Sequence, residues 1–143
     1  MTNLRAAVAL LLLCVLAGTG RAAAQNAETT PSLEIIGRNE GDYDLTNGLA
    51  TFTNGVKVIY TDKSSVVTLT ADQGTVNQKT GDMYASGSVR LQKTNETWSG
   101  RQLHYNFQTK QMDSDGGFRM SQPPFYVAGS SLHGGGPGRP TLM

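Results

Sequence analysis

The chain has 143 residues, with 12 Lys+Arg against 11 Asp+Glu, two histidines and a single cysteine. That length leaves room for one small domain, and a lone cysteine supplies no disulfide framework. The near-neutral balance argues against nucleic acid as a partner, because a phosphate backbone selects for a basic surplus or patch.

In chain order, Arg5 precedes an apolar run from Ala6 to Ala17 and a small-residue stretch ending in Ala22, Ala23 and Ala24. A basic start, a short apolar core and an A-x-A signal predict a secretory signal peptide, residues 1–24, cleaved after Ala24. The run is short for a bilayer span. A lipid anchor on Cys14 is disfavoured, because Leu13 stands where a lipoprotein site has a small residue. Cleavage removes the only cysteine together with Arg5 and Arg21, leaving 10 Lys+Arg against 11 Asp+Glu. The expected product is exported to the periplasm. Residues 25–32 then read as a loose polar leader, 33–132 as the folded domain and 133–143, rich in Gly and Pro, as a flexible tail.

Within 33–132 the apolar residues recur with period 2 and no helical period stands out. "VKVIY" places Val56, Val58 and Tyr60 on one face, "VTLTA" does so for Val67, Leu69 and Ala71, and "SVRLQ" for Val89 and Leu91. Gly, Asn and Asp break these runs every few residues, which predicts short strands joined by tight turns. The fold class is all-β.

The chain also repeats itself. Residues 69–91 align with 98–120 at a constant offset of 29, pairing Gln73 with Gln102, Asn77 with Asn106, Thr80 with Thr109, Met83 with Met112, Gly87 with Gly116 and Arg90 with Arg119. A weaker copy sits 33 residues earlier, where Gly48, Val56, Lys57 and Val58 answer Gly81, Val89, Arg90 and Leu91. A unit of this size buries no face by itself, so consecutive units must stack into one core. Gly87 and Gly116 fit positions where the chain bends.

The order "LTADQGTVNQKTGDMYASGSVRLQ", with its copy "WSGRQLHYNFQTKQMDSDGGFRMS", resembles the OstA-like repeat of the LptA, LptC and LptD lipopolysaccharide-transport proteins. The likeness runs from Gly41 to about Leu132; the later copy departs from it at Ser114 and Asp115, where Ala85 and Ser86 stand in the earlier one. It implies an antiparallel β-jellyroll of the open "taco" type that holds lipid A acyl chains on its inner face. It also implies edge-strand pairing with other OstA-like domains, inner-membrane LptC-like and outer-membrane LptD-like, or end to end with copies of itself. The cargo would be lipopolysaccharide, carried toward the outer membrane.

The in-phase apolar set that would line such a groove is Phe52, Val56, Val58, Leu69, Val76, Met83, Val89, Leu91, Trp98, Leu103, Tyr105, Met112, Phe118, Met120 and Val127. The same residues equally suit the closed core of an exported β-repeat module that binds a glycan or a protein with its outer face. Lys57, Arg90 and Arg119 fall between inward residues and are expected on the solvated face, whereas Arg38, Arg101 and Lys110, at bends, are candidates for rim contacts with a head group. Neither cofactor nor metal is expected, since His104 and His133 lack clustered ligands at metal spacing. No nucleophile has a base and orienting partner nearby in sequence, so no enzyme is expected.

Overall fold

The computed structural model describes residues 30–134 and the backbone of 141–142. The signal peptide and most of the leader lie outside the described residues. Every regular element among those described is a strand: β1 (Ser32–Gly37), β2 (Asp42–Asp44), β3 (Leu49–Phe52), β4 (Val56–Thr61), β5 (Val66–Ala71), β6 (Gln73–Asn77), β7 (Asp82–Gln92), β8 (Thr97–Asn106), β9 (Met112–Gln122), β10 (Phe125–His133) and β11 (Thr141–Leu142). They form one antiparallel sheet, a β-jellyroll of the taco type. Within the stretch read as tail, His133 closes β10, and Thr141–Leu142 pair with Leu132 and His133; residues 135–140 and 143 lie outside the described set.

The sheet is folded along a crease that every passage of the chain crosses at the same level. Three passages break there: β1 gives way to β2 at 38–41, β3 to β4 at 53–55, and β5 to β6 at Asp72. The four long strands stay continuous but lose register, between Ser86 and Val89 on β7, between Gly100 and His104 on β8 against β9, and between Gly129 and Ser131 on β10. Below the crease β4 pairs with β5 and β5 with the far end of β7, and above it β3 pairs with β6 and β6 with the near end of β7. The result is two half-sheets that share their long strands. An extra residue in one strand of a pair bends it, which is how a single sheet turns a corner.

Backbone bonds run along the crease. Arg38 N–H donates to the Gly55 carbonyl at 3.0 Å, Gly55 N–H donates to the Asp72 carbonyl at 2.6 Å, and Ser88 N–H donates to the Asp72 carboxylate at 2.8 Å. Gly87 sits against this carboxylate with φ +96°, and a Cβ there would stand 2.4 Å from Asp72 Oδ2. Only glycine meets both demands.

Alternation then sends one face of each half inward. Val58, Val67, Leu69, Leu91 and Trp98 below the crease and Ala50, Val76, Met83, Leu103 and Tyr105 above it join one buried cluster. β8 needs the bulges to do so: Trp98 and Leu103 differ in parity, yet both are buried. Ser114 also faces inward, and its hydroxyl donates to the Gln102 carbonyl at 2.7 Å. That bond accounts for a polar residue at the position where the previous copy has Ala85.

The repeated phrase builds repeated turns at the upper ends of the strands. Asn77 Oδ1 accepts the N–H groups of Lys79 and Thr80, as Asn106 Oδ1 accepts those of Gln108 and Thr109, and Asp44 Oδ1 those of Thr46 and Asn47. Such side-chain bonds to the following backbone are why Asn and Asp favour turns.

Candidate functional site

Folding at the crease brings the far ends of the two halves together, and the opposite side of the molecule becomes a mouth. The lower lip carries the β4–β5 hairpin and the β7–β8 loop; the upper lip carries the β8–β9 turn. Four contacts close it, each made by side chains. Lys110 Nζ donates to Asp62 Oδ2 at 2.7 Å and lies 4.1 Å from the centre of the Tyr60 ring. Tyr60 in turn packs on Phe107 with ring centres 5.6 Å apart. Lys93, paired with Glu96 at 3.4 Å, lies 5.8 Å from the centre of the Tyr105 ring. Beneath the lips Tyr105 meets Phe107 edge to face at 5.1 Å.

Thirteen of the fifteen residues read as groove are buried, none more than 6 % exposed, while Met120 and Val127 are half-buried and pack against them. The alternation therefore gathered the intended set, but in this conformation the interior is closed. Phe107 and Leu132, also fully buried, were absent from that set. Phe107 lies just beyond β8 and continues the alternation of Leu103 and Tyr105 by one step.

Among the described residues two interior polar groups have no partner: Trp98 Nε1 and the Tyr105 hydroxyl are buried without a hydrogen bond. Burial, followed by the nearby Glu96, Asp62 and Tyr60 groups, pushes the Tyr105 phenol well above its ordinary value, so it remains a donor at any physiological pH. Asp62 behaves oppositely. The Lys110 ammonium, then the Ser64 N–H and hydroxyl and the Ser65 N–H, hold its carboxyl well below the usual carboxylate range.

The three cations proposed as rim residues are not brought together. Lys110 stands on the mouth, whereas Arg38 and Arg101 line concavities beside Asp72 and Ser88, on the crease side. Lys57, Arg90 and Arg119 are exposed between buried neighbours, as the alternation requires.

A concavity of about 660 Å³ is lined mainly by residues that alternate with the core on the upper half, including Thr51, Thr75, Tyr84, His104 and Asp113. Tyr84 stacks on His104 at 4.3 Å, and His104 Nε2 lies 3.0 Å from Asp82 Oδ1. Thr80, Asn106 and, less strongly, His104 hold the Asp82 carboxyl below its ordinary value. Thr51, Thr75, Tyr84, His104 and Asp113 occupy successive strands in register, so the feature is a cross-strand ladder on a sheet face.

Two edges are open. β1 pairs only with β4, and along β10 the segment from Phe125 to Ser131 pairs only with β9. Neither strand carries a Lys, Arg or Pro, and Phe125 and Tyr126 are 70 % and 76 % exposed. Edges left without such guards are templates for a further strand.

A folded sheet with one apolar interior and a mouth closed by side chains defines a β-jellyroll of the taco type. Comparison with protein families gives it a place: the profile described as lipopolysaccharide-assembly, LptC-related, matches residues 26–135, and the chain belongs to that family. No curated protein matches the chain.

Proposed function

We propose that the protein is a periplasmic component of the bridge that carries lipopolysaccharide to the outer membrane, holding lipid A acyl chains between the two half-sheets. Family membership makes it a lipopolysaccharide-transport protein; the observation that supports acyl binding is the single apolar interior that the in-phase residues make, with a mouth closed by side chains only. Each buried methylene contributes about 0.8 kcal/mol, so a chain that replaces side-chain contacts inside the sheet needs no charged group to be held. Met83, Met112 and Met120 line the path with adaptable side chains. Units would join through β1 and β10, adding strands of other OstA-like domains or of further copies.

The test is a photo-crosslinking amino acid placed at Leu91, on the inner face, or at Arg90, on the outer face, in the full chain expressed in cells that make lipopolysaccharide. Adducts at Leu91 and few at Arg90 are expected. The closed interior and the polar outer concavity favour a second reading, an exported interaction module whose interior is only a core. Adducts at neither position, with partner proteins captured at Phe125 or Ile36, would establish that reading instead.

A further inference from the structure

Lys110 breaks the pattern of its own repeat. The equivalent positions are Gly48 and Gly81, with φ +71° and +76°, and Lys110 keeps the same left-handed backbone at φ +62°. A residue with a Cβ is disfavoured there by about 1 kcal/mol. The side chain that incurs this cost reaches across to the other half-sheet, 48 residues away in sequence, and bonds Asp62 over the ring of Tyr60. Asp62 meanwhile holds its own turn through Oδ1, which accepts the N–H groups of Ser64 and Ser65 at 2.9 and 2.8 Å. Releasing Oδ2 from Lys110 therefore leaves the hairpin intact. The ammonium and carboxylate are 25 % and 15 % exposed, within reach of a competing anion.

Immediately inside stand the rings of Tyr60, Phe107 and Tyr105, and the Tyr105 hydroxyl is a buried donor with nothing to bond. Buried polar groups in folded proteins nearly always have a partner. A cation at the lip, an unpartnered donor among the rings behind it and the apolar interior beyond match an acidic head, the ester or amide that joins it to a chain, and the alkyl chain itself.

The geometry points to the mouth as the port and head-group site for an anionic amphiphile: its alkyl chain passes inward between Tyr60, Phe107 and Tyr105, and its acidic group takes Lys110 from Asp62. This rests on the acyl-binding reading above. It assigns the Lys110–Asp62 pair to ligand exchange, with Lys93 as the second cation of the mouth, on the facing lip.

Trp98, the only tryptophan in the chain and fully buried inside, reports entry directly. The full chain is titrated with a bromine-tagged alkyl phosphate and with an uncharged bromine-tagged alkyl glucoside of the same chain length, following quenching of Trp98 fluorescence. The wild type is expected to favour the phosphate. Lys110→Gly, which supplies the residue the turn prefers, is expected to weaken phosphate binding about threefold to tenfold, the scale of one exposed ion pair, and to leave glucoside binding unchanged or tighter. Asp62→Asn frees the ammonium and is expected to tighten phosphate binding by a similar factor. Quenching that is equal for both amphiphiles and indifferent to both substitutions would overturn the port while leaving the interior as a lipid site. Absence of quenching by either amphiphile in every variant would remove the acyl-binding reading itself.

Discussion

The crease and the mouth are the two places where the half-sheets meet, and they are built from different bonds. At the crease the chain is continuous, main-chain bonds link Arg38, Gly55 and Asp72, the Asp72 carboxylate holds Ser88, and glycine is demanded by sterics at Gly87. At the mouth no backbone bond crosses among the described residues, and the lips touch through Lys110, Asp62 and three aromatic rings. A hinge made of backbone and a closure made of side chains allow the two halves to part at one side without unfolding at the other. If that contrast is real, substitutions at the crease should cost stability, whereas substitutions at the mouth should cost little and change access.

The largest effect is expected from Gly87→Val. A β-branched residue must adopt φ +96° with its Cβ pressed against the Asp72 carboxylate, and strain together with the displaced contact should destabilise the fold by about 3 kcal/mol. Urea unfolding followed by Trp98 fluorescence measures it. A loss below about 0.5 kcal/mol would mean that the crease is soft. Asp72→Ala comes next, at about 1 kcal/mol for the lost acceptor of Ser88 N–H. Asp72→Asn retains an acceptor and should recover most of that loss. Lys110→Gly is smaller still: the relieved backbone and the lost ion pair offset each other, so stability should stay within about 0.5 kcal/mol of the wild type. Amide hydrogen exchange near Phe107 should nevertheless quicken. A destabilisation of 2 kcal/mol or more would make the mouth as structural as the crease and end the comparison.

Much of this was legible in the sequence, for definite reasons. Period-2 patterning placed Val58, Leu69, Leu91 and Phe118 inward because alternation is a local property of an extended chain, and phase carried from one copy to the next. Glycines at one repeat position marked the bend on β7 and β9. The crease as a single line was not legible, because it depends on Asp72, Gly55 and Gly100 arriving side by side from distant segments. The closure was hidden for the same reason. Lys110 was picked out as a bend cation, but its partner lies 48 residues away and only the fold brings Asp62 to it. One signal was present and unused: a lysine where both other copies have glycine. A residue that violates the local rule of its own repeat marks a place where something other than the turn is being served.

The smallest expected effect separates an ion pair from mere proximity at the mouth. Asp62 has its pKa depressed in the folded chain, chiefly by Lys110. A depressed carboxylate contributes stability in full above its unfolded value of about 3.9, and that contribution fades as pH falls through the lower folded value. The difference in unfolding free energy between the wild type and Asp62→Asn should therefore be constant between pH 5 and pH 8 and shrink below about pH 4. Because the pair is partly exposed, added salt should shrink it too. The contribution of Gly87 at the crease gives no such response, since it acts by shape. A difference that varied between pH 5 and pH 8 would point to a different titrating group at the mouth, and one that ignored both pH and salt would mean that Asp62 matters only as the cap of its own turn.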